Sequence, residues 1–358
     1  REMKIKPEEL LRNPLSWLVD SGPDDDIAIS TRIRLARNFS SAPFPIAGNQ
    51  DALNQVKELA EKAILDSEAI AEPVEFDLPA LSDVEKKLLL ERRLISRDML
   101  TPNPAAALIA DRGESLAVML NEEDHLRIQA LSPGFQLESV WKRLNHFDDI
   151  LSSRIPYAFD ARLGFLTSCP SNLGTGMRAS VMLHLPGLVM MEQMNAVKQA
   201  LAKLGLAVRG FYGEGSGNCG NLFQISNQST LGESEEQILE RLSSIVKQII
   251  IHEKQARRTL LDKRQSFLLN QVGRAYGILR HGYMISSEEA LNSLSELRLG
   301  VDMKMFSSVD IHTVNELFLN VQPSHLQIAE HKELSQEERD AARATLIRET
   351  LKAKRGQV

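Results

Sequence analysis

The chain has 358 residues, of which 43% are hydrophobic and 25% charged, and its formal net charge is −6. This length suffices for two domains with their own cores, and the negative charge argues against general binding to nucleic acid, which favours a basic surface. Two cysteines, Cys169 and Cys219, are too few for a disulfide framework, and no apolar run approaches the roughly 20 residues that span a bilayer. We therefore expect a cytoplasmic protein that binds neither membranes nor nucleic acid directly.

Helices and short strands alternate over the first two-thirds of the sequence. Apolar residues three or four apart predict helices at residues 50–67, 83–97, 137–155, 195–204 and 233–258. Short apolar runs predict strands at residues 105–110, 116–120, 126–131, 163–168, 180–185, 207–212 and 222–226. This mixture predicts an α+β fold in which helices cover a large sheet.

The composition changes near residue 255, after which strand-like runs almost vanish. Helices are predicted at residues 286–298, 308–319 and 335–354. We therefore divide the chain into an N-terminal segment (1–23), an α/β domain (24–254) and an all-helical domain of about 100 residues (255–358).

The first segment that could bind a ligand lies at residues 30–37. In an extended strand Arg32 and Arg34 point to one face, whereas Ile33 and Leu35 point to the other, into a core. Two arginines side by side repel each other unless an anion lies between them. For an isolated Arg-x-Arg sequence, a solvated strand is the more common explanation.

A second segment, residues 121–127, places three acidic residues directly after the strand 116–120. Such a cluster suits a general base, a metal site or a guanidinium clamp, and its simplest alternative is an acidic loop in water. Arg127 lies four residues after Glu123. His125 is interpreted as structural because no second histidine stands at metal-ligand spacing.

Residues 169–180 combine the thiol of Cys169, several turn-forming residues and Arg178 in one polar segment between two apolar runs. Free backbone N–H groups beside a rigid guanidinium suit an anion such as phosphate. The alternative for Cys169 is a packed, inert thiol.

Residues 209–220 contain a formal Gly-x-Gly-x-x-Gly, but a dinucleotide fold needs a helix after it, and residues 222–226 are predicted as a strand. We interpret the glycines as a mobile lid from which Glu214 can swing into a site. Walker and protein-kinase motifs are absent from the sequence. If the chain uses ATP, it does so with arginines: Arg32, Arg34, Arg127, Arg178 and Arg209.

Together these four segments resemble, in order and spacing, the catalytic domain of phosphagen (guanidino) kinases over roughly residues 24–254. The resemblance implies a large, mainly antiparallel sheet flanked by helices, and ATP whose magnesium is held mainly by phosphates and water. It also implies that Glu123 deprotonates the guanidino group and that Cys169, as thiolate, aligns it. The implied ATP-binding residues are Ser30, Thr31, Arg32, Ile33, Arg34, Arg127, Arg178, Ala179, Ser180, Val181, Met182, Arg209, Gly210, Phe211, Tyr212, Gly213 and Glu214.

Two positions depart from the family pattern. The lid carboxylate of arginine-kinase-like enzymes falls on Gly217, so Glu214 becomes the predicted second catalytic carboxylate. A histidine that the family tends to have near the nucleotide is replaced by Arg93, which would stack on adenine or bind phosphate.

The helical domain behind the catalytic one resembles that of bacterial protein-arginine kinases of the McsB type. Their phosphoarginine-binding motif matches Arg339, Asp340, Arg343 and Ala344, on a helix that a capping box at Ser335 and Glu338 would start. On this helix Arg339 and Arg343 are expected on one face, gripping a phosphate, with Asp340 facing a guanidinium.

The resemblance implies protein substrates with exposed arginines, allosteric phosphoarginine binding and a role in stress-related degradation. The implied partners are a zinc-binding activator protein, a heat-shock repressor, a Clp-type unfoldase and a second copy of the chain. Two alternatives stay open: a kinase of a free small-molecule guanidine, and a non-catalytic phosphoarginine-reading adaptor.

Overall fold

The computed structural model describes residues 5–210, 219–306 and 309–353. Its strands are β1 (Ala28–Arg37), β2 (Pro73–Asp77), β3 (Ala107–Asp111), β4 (Leu116–Leu120), β5 (Leu126–Pro133), β6 (Phe159–Asp160), β7 (Gly164–Phe165), β8 (Met177–His184), β9 (Leu206–Gly210) and β10 (Leu222–Asn227). Eight of them form one antiparallel sheet in the order β2-β3-β4-β5-β1-β8-β10-β9, and β6 and β7 form a separate ribbon. The predicted antiparallel sheet is confirmed.

The helices are α1 (Ser16–Val19), α2 (Gln50–Asp66), α3 (Asp83–Glu91), α4 (Leu137–Ser152), α5 (Pro186–Met190), α6 (Met194–Lys203), α7 (Glu235–Lys263), α8 (Gln265–His281), α9 (Ser287–Asp302), α10 (Ile311–Asn320), α11 (Pro323–Ala329) and α12 (Gln336–Ala353). Polar side chains cap the first turns of several of them. Ser82 and Ser234 each form a capping box with the residue three positions on. The predicted box of Ser335 and Glu338 is also present, since each accepts a hydrogen bond from the other's backbone N–H.

One face of the sheet is apolar, because side chains alternate along each strand. Ile33 and Leu35 on β1 and Val181 on β8 are fully buried in the main core. Helices α2, α4, α6 and α7 supply the other half of this core. Each fully buried aliphatic side chain of this kind stabilises the fold by roughly 1.5–3 kcal/mol.

The opposite face of the sheet is covered over only part of its area. There Leu131, Met182 and Leu222 pack in a second core with Trp17 of α1 and with apolar residues of α9 and α10. The rest of this face carries arginine side chains. The helical part of the chain therefore forms a wall beside a polar surface.

A buried polar cluster joins the helical part to the sheet. Arg298 of α9 is 0% exposed and donates hydrogen bonds to the carbonyl oxygens of Asp25 (2.6 Å) and Asp26 (2.9 Å). Burial, then the charges of Arg298 and Arg257, hold the pKa of His184 well below its usual range. Its ring is therefore neutral, and Nδ1 lies 3.1 Å from Arg298 Nη1.

Two predicted elements differ from the structure. The helix predicted at residues 83–97 ends at Glu91 because Arg93 has a left-handed φ of 65°. Only Gly164–Phe165 of the strand predicted at 163–168 is extended and paired. Strands β2 and β6 and helices α1, α5, α8 and α11 were not predicted.

Helix α7 continues through residue 255, where the composition changes, as far as Lys263. The division of the chain at residues 254 and 255 stays a prediction.

Candidate active site

Arginine side chains gather on the polar face of the sheet where β1 lies between β5 and β8. Arg34 pairs with Arg178 on one side and with Gln129 on the other, and Arg32 pairs with Ser180. The predicted placement of Arg32 and Arg34 on one face is confirmed, with Ile33 in the core behind them. Arg32 Nη2 also donates to Gln224 Oε1 of β10 at 3.2 Å.

Arg32 and Arg34 line a cleft of about 340 Å³, which we call the arginine cleft. The arginines on its wall are Arg32, Arg34, Arg93, Arg97, Arg127 and Arg209. They come from β1, β5, β9 and the turn after α3, so the fold brings together cations that are far apart in the sequence. The backbone carbonyl of Arg93 is held by Gln129 Nε2 at 2.7 Å.

The cleft has an excess of positive charge. Burial, followed by the charges of Arg93, Arg127 and Arg178, lowers the pKa of Arg32 to about 9. Burial and the neighbouring arginines also hold the pKa of Arg34 well below its usual range, and Glu122 only partly opposes them. Arg34 Nε is buried without a hydrogen-bond partner. A polyanion such as a nucleoside triphosphate would balance this positive charge and accept hydrogen bonds from the arginines.

Replacing Arg34 with Met should raise the KM for ATP by about 10-fold or more, because a charge-assisted contact to phosphate is lost. The ligand-free variant should unfold at an equal or higher temperature than the wild type, because a cation buried among like charges is removed. KM values and thermal unfolding with and without ATP test both effects, with Arg162→Met, on the exposed β6–β7 turn, as the control. A KM within twofold of the wild type would exclude Arg34 from the phosphate site.

Glu122 anchors the arginine cleft. Its carboxylate accepts hydrogen bonds from Ser96 Oγ and from Arg127 Nη1, the latter at 2.6 Å to Oε2. Burial alone would raise the pKa of Glu122, but Arg127 and Ser96 outweigh it and hold the value below its usual range. Glu122 is therefore ionised, and its carboxylate positions Arg127. Arg127 thus contacts Glu122 directly, and its charge also acts on Glu123.

Glu123 directly follows Glu122, which contacts Arg127 of the arginine cleft, and the Cys169 side chain lies close enough to act on the Glu123 carboxyl. Burial, then the charges of Asp124 and Glu122, raise the pKa of Glu123, while Arg127 and the Cys169 hydrogen bond partly offset the rise. Cys169 Sγ also lies 3.0 Å from Ser171 Oγ. The two predicted catalytic side chains are thus brought together, and Glu123 has the raised proton affinity that suits a base.

A buried hydrogen-bond network fixes this pair. Asp124 Oδ1 accepts from the backbone N–H of Ser168 at 2.7 Å and from Asn38 Nδ2 at 2.6 Å, linking the Glu123 segment to the Cys169 segment. His125 Nδ1 accepts from the Phe39 N–H at 3.0 Å, so its Nε2 is the donor to the Pro43 carbonyl. The predicted structural role of His125 is confirmed.

Several predicted ATP-binding residues lie away from the cleft. The side chains of Ile33, Ala179 and Val181 belong to the main core on the other face of the sheet. Thr31 Oγ1 is also buried, donating to the Gly134 carbonyl at 2.7 Å. Strand alternation turns these four side chains away from the arginines, so the assignment of Thr31, Ile33, Ala179 and Val181 to ATP binding stays a prediction that their side chains do not support.

Ser30, Ser180 and Met182 lie on the same face of the sheet as Arg32. They line a narrow, mainly apolar pocket beside Trp17 and Phe318. Gly210 ends β9, opposite Phe223. Phe211, Tyr212, Gly213 and Glu214 lie outside the described residues, so the predicted lid carboxylate is not placed.

The residues of the predicted phosphoarginine motif separate in the structure. Arg339 lines a cleft of about 530 Å³ that Arg93 and Arg97 also line, and it donates to the Leu334 carbonyl at 2.7 Å. Arg343 is 1% exposed; it donates to the carbonyl oxygens of Val321 and Ile285 and pairs with Asp340 at 2.5 Å.

The Arg343 guanidinium is used to hold α12 against the neighbouring turns, so the structure gives no support to the expectation that it grips a phosphate together with Arg339. Asp340 faces a guanidinium as predicted, but it is that of Arg343. Ala344 is fully buried in the second core.

Sequence reasoning missed the polar residues that support the arginines. These are Ser96, Arg97, Glu122, Gln129 and Gln224. Glutamines at alternating strand positions, Gln129 and Gln224, were the available signal, since they face the same side as the arginines. Among the described residues, no group of three or more His, Cys, Asp or Glu side chains could hold a metal ion, and no helix could span a membrane.

Comparisons with known proteins agree with this geometry. The family model of the ATP:guanido phosphotransferase C-terminal catalytic domain matches residues 55–256, and that of the protein-arginine kinase McsB C-terminal domain matches residues 265–357. The chain is 42% identical to the protein-arginine kinase of Halothermothrix orenii, over 96% of this chain and 99% of that relative. It is 46% identical to the protein-arginine kinase of a Geobacillus species, over 94% of each.

Two solved structures share the fold. The duplicated taurocyamine kinase of Schistosoma mansoni, with bound components of a transition-state analogue, matches at a TM-score of 0.58 and 26% identity, over 68% of this chain and 35% of that one. Lombricine kinase matches at a TM-score of 0.57 and 22% identity, over 68% of this chain and 70% of that one. With both of its parts matched in order, the chain belongs to the protein-arginine kinase family, whose catalytic part is an ATP:guanido phosphotransferase domain.

Proposed function

We propose that this enzyme transfers the γ-phosphate of ATP to arginine side chains of proteins. The observation that supports this most directly is that Arg127 of the arginine cleft contacts Glu122 and acts on the neighbouring Glu123, whose carboxyl is also close to Cys169. A cationic cleft suits a triphosphate, and a carboxylate with a raised pKa suits a cationic acceptor that must lose a proton. Relatives that match nearly the whole chain carry the name protein-arginine kinase.

The reaction needs little covalent work from the protein. A guanidino nitrogen forms a bond to the γ-phosphorus, the bond from that phosphorus to the bridging oxygen breaks, and ADP leaves with the electron pair. Glu123 takes the proton that the guanidinium loses, because a free guanidinium with a pKa above about 12 is no nucleophile. Arg32, Arg34 and Arg127 hold the phosphates in line. Cys169 orients the guanidinium.

Magnesium would neutralise phosphate charge, and the donor set fits an ion held mainly by phosphate oxygens and water. The glutamate nearest the arginines, Glu122, is already occupied by Arg127 and Ser96. The described residues offer no clustered carboxylate cage.

The function is tested by incubating the protein with labelled ATP and either a generic protein or free arginine. We expect acid-labile label on the protein, because a phosphorus–nitrogen bond is acid-labile whereas a serine phosphate is not. Label on the free amino acid alone would favour the kinase of a small guanidine. ATP-independent capture of phosphoarginine without any transfer would favour the non-catalytic adaptor.

The pH dependence of transfer should report Glu123. The ordinary pKa of a glutamate is about 4.3, and the raised pKa of Glu123 means that it stays protonated to a higher pH than that. Only its ionised form can act as a base. We expect kcat/KM to fall as the pH falls through a value above that. In Cys169→Ala this limb should move to higher pH, because the hydrogen bond that stabilises the carboxylate is lost. If the acidic limb of the kcat/KM profile does not move in Cys169→Ala, Cys169 does not stabilise the Glu123 carboxylate.

The wider role is proposed from family resemblance. We propose that phosphorylation marks proteins for Clp-type degradation during stress, that a zinc-binding activator protein and a heat-shock repressor are partners, and that the chain forms a homodimer in the cytoplasm. We also propose allosteric phosphoarginine binding at the cleft of Arg339, with Asp340, Arg343 and Ala344 supporting the helix. Light scattering tests the dimer. Titration with phosphoarginine, comparing Arg339→Ala with the wild type, tests the allosteric site.

A further inference from the structure

The last residue of α3 makes a polar contact with the helical part of the chain. The Glu91 carboxylate accepts hydrogen bonds from the backbone N–H groups of Ser324 (2.9 Å) and His325 (3.2 Å), at the start of α11. It also lies 2.8 Å from His325 Nδ1. One carboxylate of α3 is thus held by three donors of α11, and none of the sequence patterns singled it out.

The ring of His325 supplies the third of these donors. His325 is 2% exposed, and burial lowers its pKa although the Glu91 carboxylate partly opposes the shift, so the ring is neutral. Because a carboxylate only accepts hydrogen bonds, Nδ1 carries the ring proton. Nε2 is buried without a hydrogen-bond partner. Within the part of the chain that the structure describes, the ring therefore forms its hydrogen bond with Glu91.

The backbone two residues after Glu91 has an unusual conformation. Arg93 has a φ of 65°, in the left-handed region that a non-glycine residue keeps only where its surroundings impose it. On one side of Arg93, Glu91 is fixed by α11; on the other, Gln129 Nε2 donates to the Arg93 carbonyl oxygen at 2.7 Å. Between Glu91 and Arg93, Arg92 is buried in an ion pair with Glu114. The conformation of Arg93 therefore depends on contacts from α11 as well as from the sheet.

This conformation places Arg93 in the wall of the arginine cleft. After burial, the charge of Arg93 is the strongest influence on the pKa of Arg32 in that cleft. Glu91 and Arg93 also line the cleft of about 530 Å³ that Arg339 lines. The end of α3 is thus shared by the two clefts, and a shift of α11 would displace Glu91 and the backbone that directs Arg93.

We propose that Glu91 is a positioning residue through which α11 holds Arg93 in the arginine cleft, so that the helical part contributes to the affinity for ATP. This inference rests on the proposed function and adds a role of the helical part in nucleotide binding. With Glu91 anchored, the Arg93 guanidinium is presented to the nucleotide beside Arg32. When the anchor is lost, the strained turn relaxes and this contact weakens.

The test measures ATP binding by calorimetry, which does not depend on turnover. We expect the Kd for ATP to rise by about 3- to 30-fold in Glu91→Gln, the range typical of a residue that acts without touching the ligand. His325→Phe should raise the Kd less, because it removes the Nδ1 donor and keeps the two backbone donors. His325→Asn should bind ATP as the wild type does, since its side-chain amide supplies a donor again. The control is Asp83→Asn, which is exposed at the opposite end of α3.

A double-mutant cycle separates positioning from a merely structural role. In an Arg93→Met background, Glu91→Gln should change the Kd for ATP by no more than about twofold, because Glu91 acts through Arg93. In the kinase reaction, Glu91→Gln should raise the KM for ATP and leave kcat within about twofold of the wild type. Thermal unfolding sets an assay temperature at which every variant is folded.

An unchanged ATP affinity in folded Glu91→Gln would overturn the proposal, and so would effects of Glu91→Gln and Arg93→Met that add independently. If Glu91→Gln does not fold, the comparison of His325→Phe with His325→Asn decides the question, and equal affinities in the two would overturn the proposal. If the wild type binds ATP but phosphorylates no protein, the proposed function fails, and the calorimetric comparison still decides the role of Glu91.

Discussion

The Glu123→Gln variant should transfer phosphate to a protein substrate about 100- to 10,000-fold more slowly than the wild type, the range typical of losing a general base. Glutamine keeps the size of the side chain but cannot accept the guanidinium proton. The hydrogen bond to Cys169 can persist, so the geometry of the pair is retained. Single-turnover transfer from labelled ATP measures the effect on the chemical step.

The affinity for ATP separates a catalytic role from a structural one. The phosphates are held by Arg32, Arg34 and Arg127, so nucleotide binding measured by calorimetry should be unchanged in Glu123→Gln. Glu58→Gln, on the exposed side of α2, serves as the control and should match the wild type in both assays. Turnover within threefold of the wild type in Glu123→Gln would remove this residue from the role of base.

The Arg298→Met variant should lower the free energy of unfolding by about 3–5 kcal/mol, the cost typical of breaking a buried ion pair from one side. Arg298 is 0% exposed and lies 3.2 Å from Asp302 Oδ2. Its removal leaves that carboxylate with Arg257 alone, at 3.4 Å. The Asp25 carbonyl loses its Arg298 donor, whereas the Asp26 carbonyl keeps Arg257 at 3.3 Å. Urea denaturation followed by circular dichroism measures the loss.

A second substitution identifies the cause of the destabilisation. In Arg298→Met with Asp302→Asn, the stranded charge is gone, so part of the lost stability should return. Arg258→Met on the exposed side of α7 should change stability by no more than about 0.5 kcal/mol. A loss below about 1 kcal/mol in Arg298→Met would show that the buried network does not hold the helical part to the sheet.

The strands and the positions of the arginines could be predicted because both follow from local pattern. Alternation along β1 turned Arg32 and Arg34 to one side and Ile33 to the other, as the structure confirms. The same rule, applied to β8, would have turned Ala179 and Val181 into the core. Family resemblance had assigned all of residues 178–182 to ATP. Side chains of consecutive residues in a strand point to opposite faces, so they cannot all face one ligand.

The partners of charged residues could not be predicted from spacing. Arg127 contacts Glu122 rather than Glu123 because the turn between β4 and β5 reverses the chain at this point. Arg343 reads as a solvated helix position, yet the turns at Val321 and Ile285, which lie far away in the sequence, bury it. Burial of this kind depends on tertiary contacts that no local periodicity contains.

The early end of α3 shows a third limit. Residues 92–97 continue a helical pattern, but Arg93 adopts a left-handed conformation and Leu94 and Ile95 turn into the core of the sheet's outer strands. Tertiary packing overrides local propensity here. The consequence is functional, because this turn places Arg93, Ser96, Arg97 and Asp98 beside the site.

The unbroken course of α7 carries buried contacts across residues 254 and 255. Glu253 is 0% exposed and accepts hydrogen bonds from the backbone N–H groups of Gly187 and Leu188 and from Arg257, one turn further along α7. A protein cut after residue 254 would strand this buried carboxylate without its cation and remove the residues of α9 and α10 that share the second core with Leu131, Met182 and Leu222. We therefore expect removal of the helical part to lower the stability of the catalytic sheet, in addition to any effect on regulation.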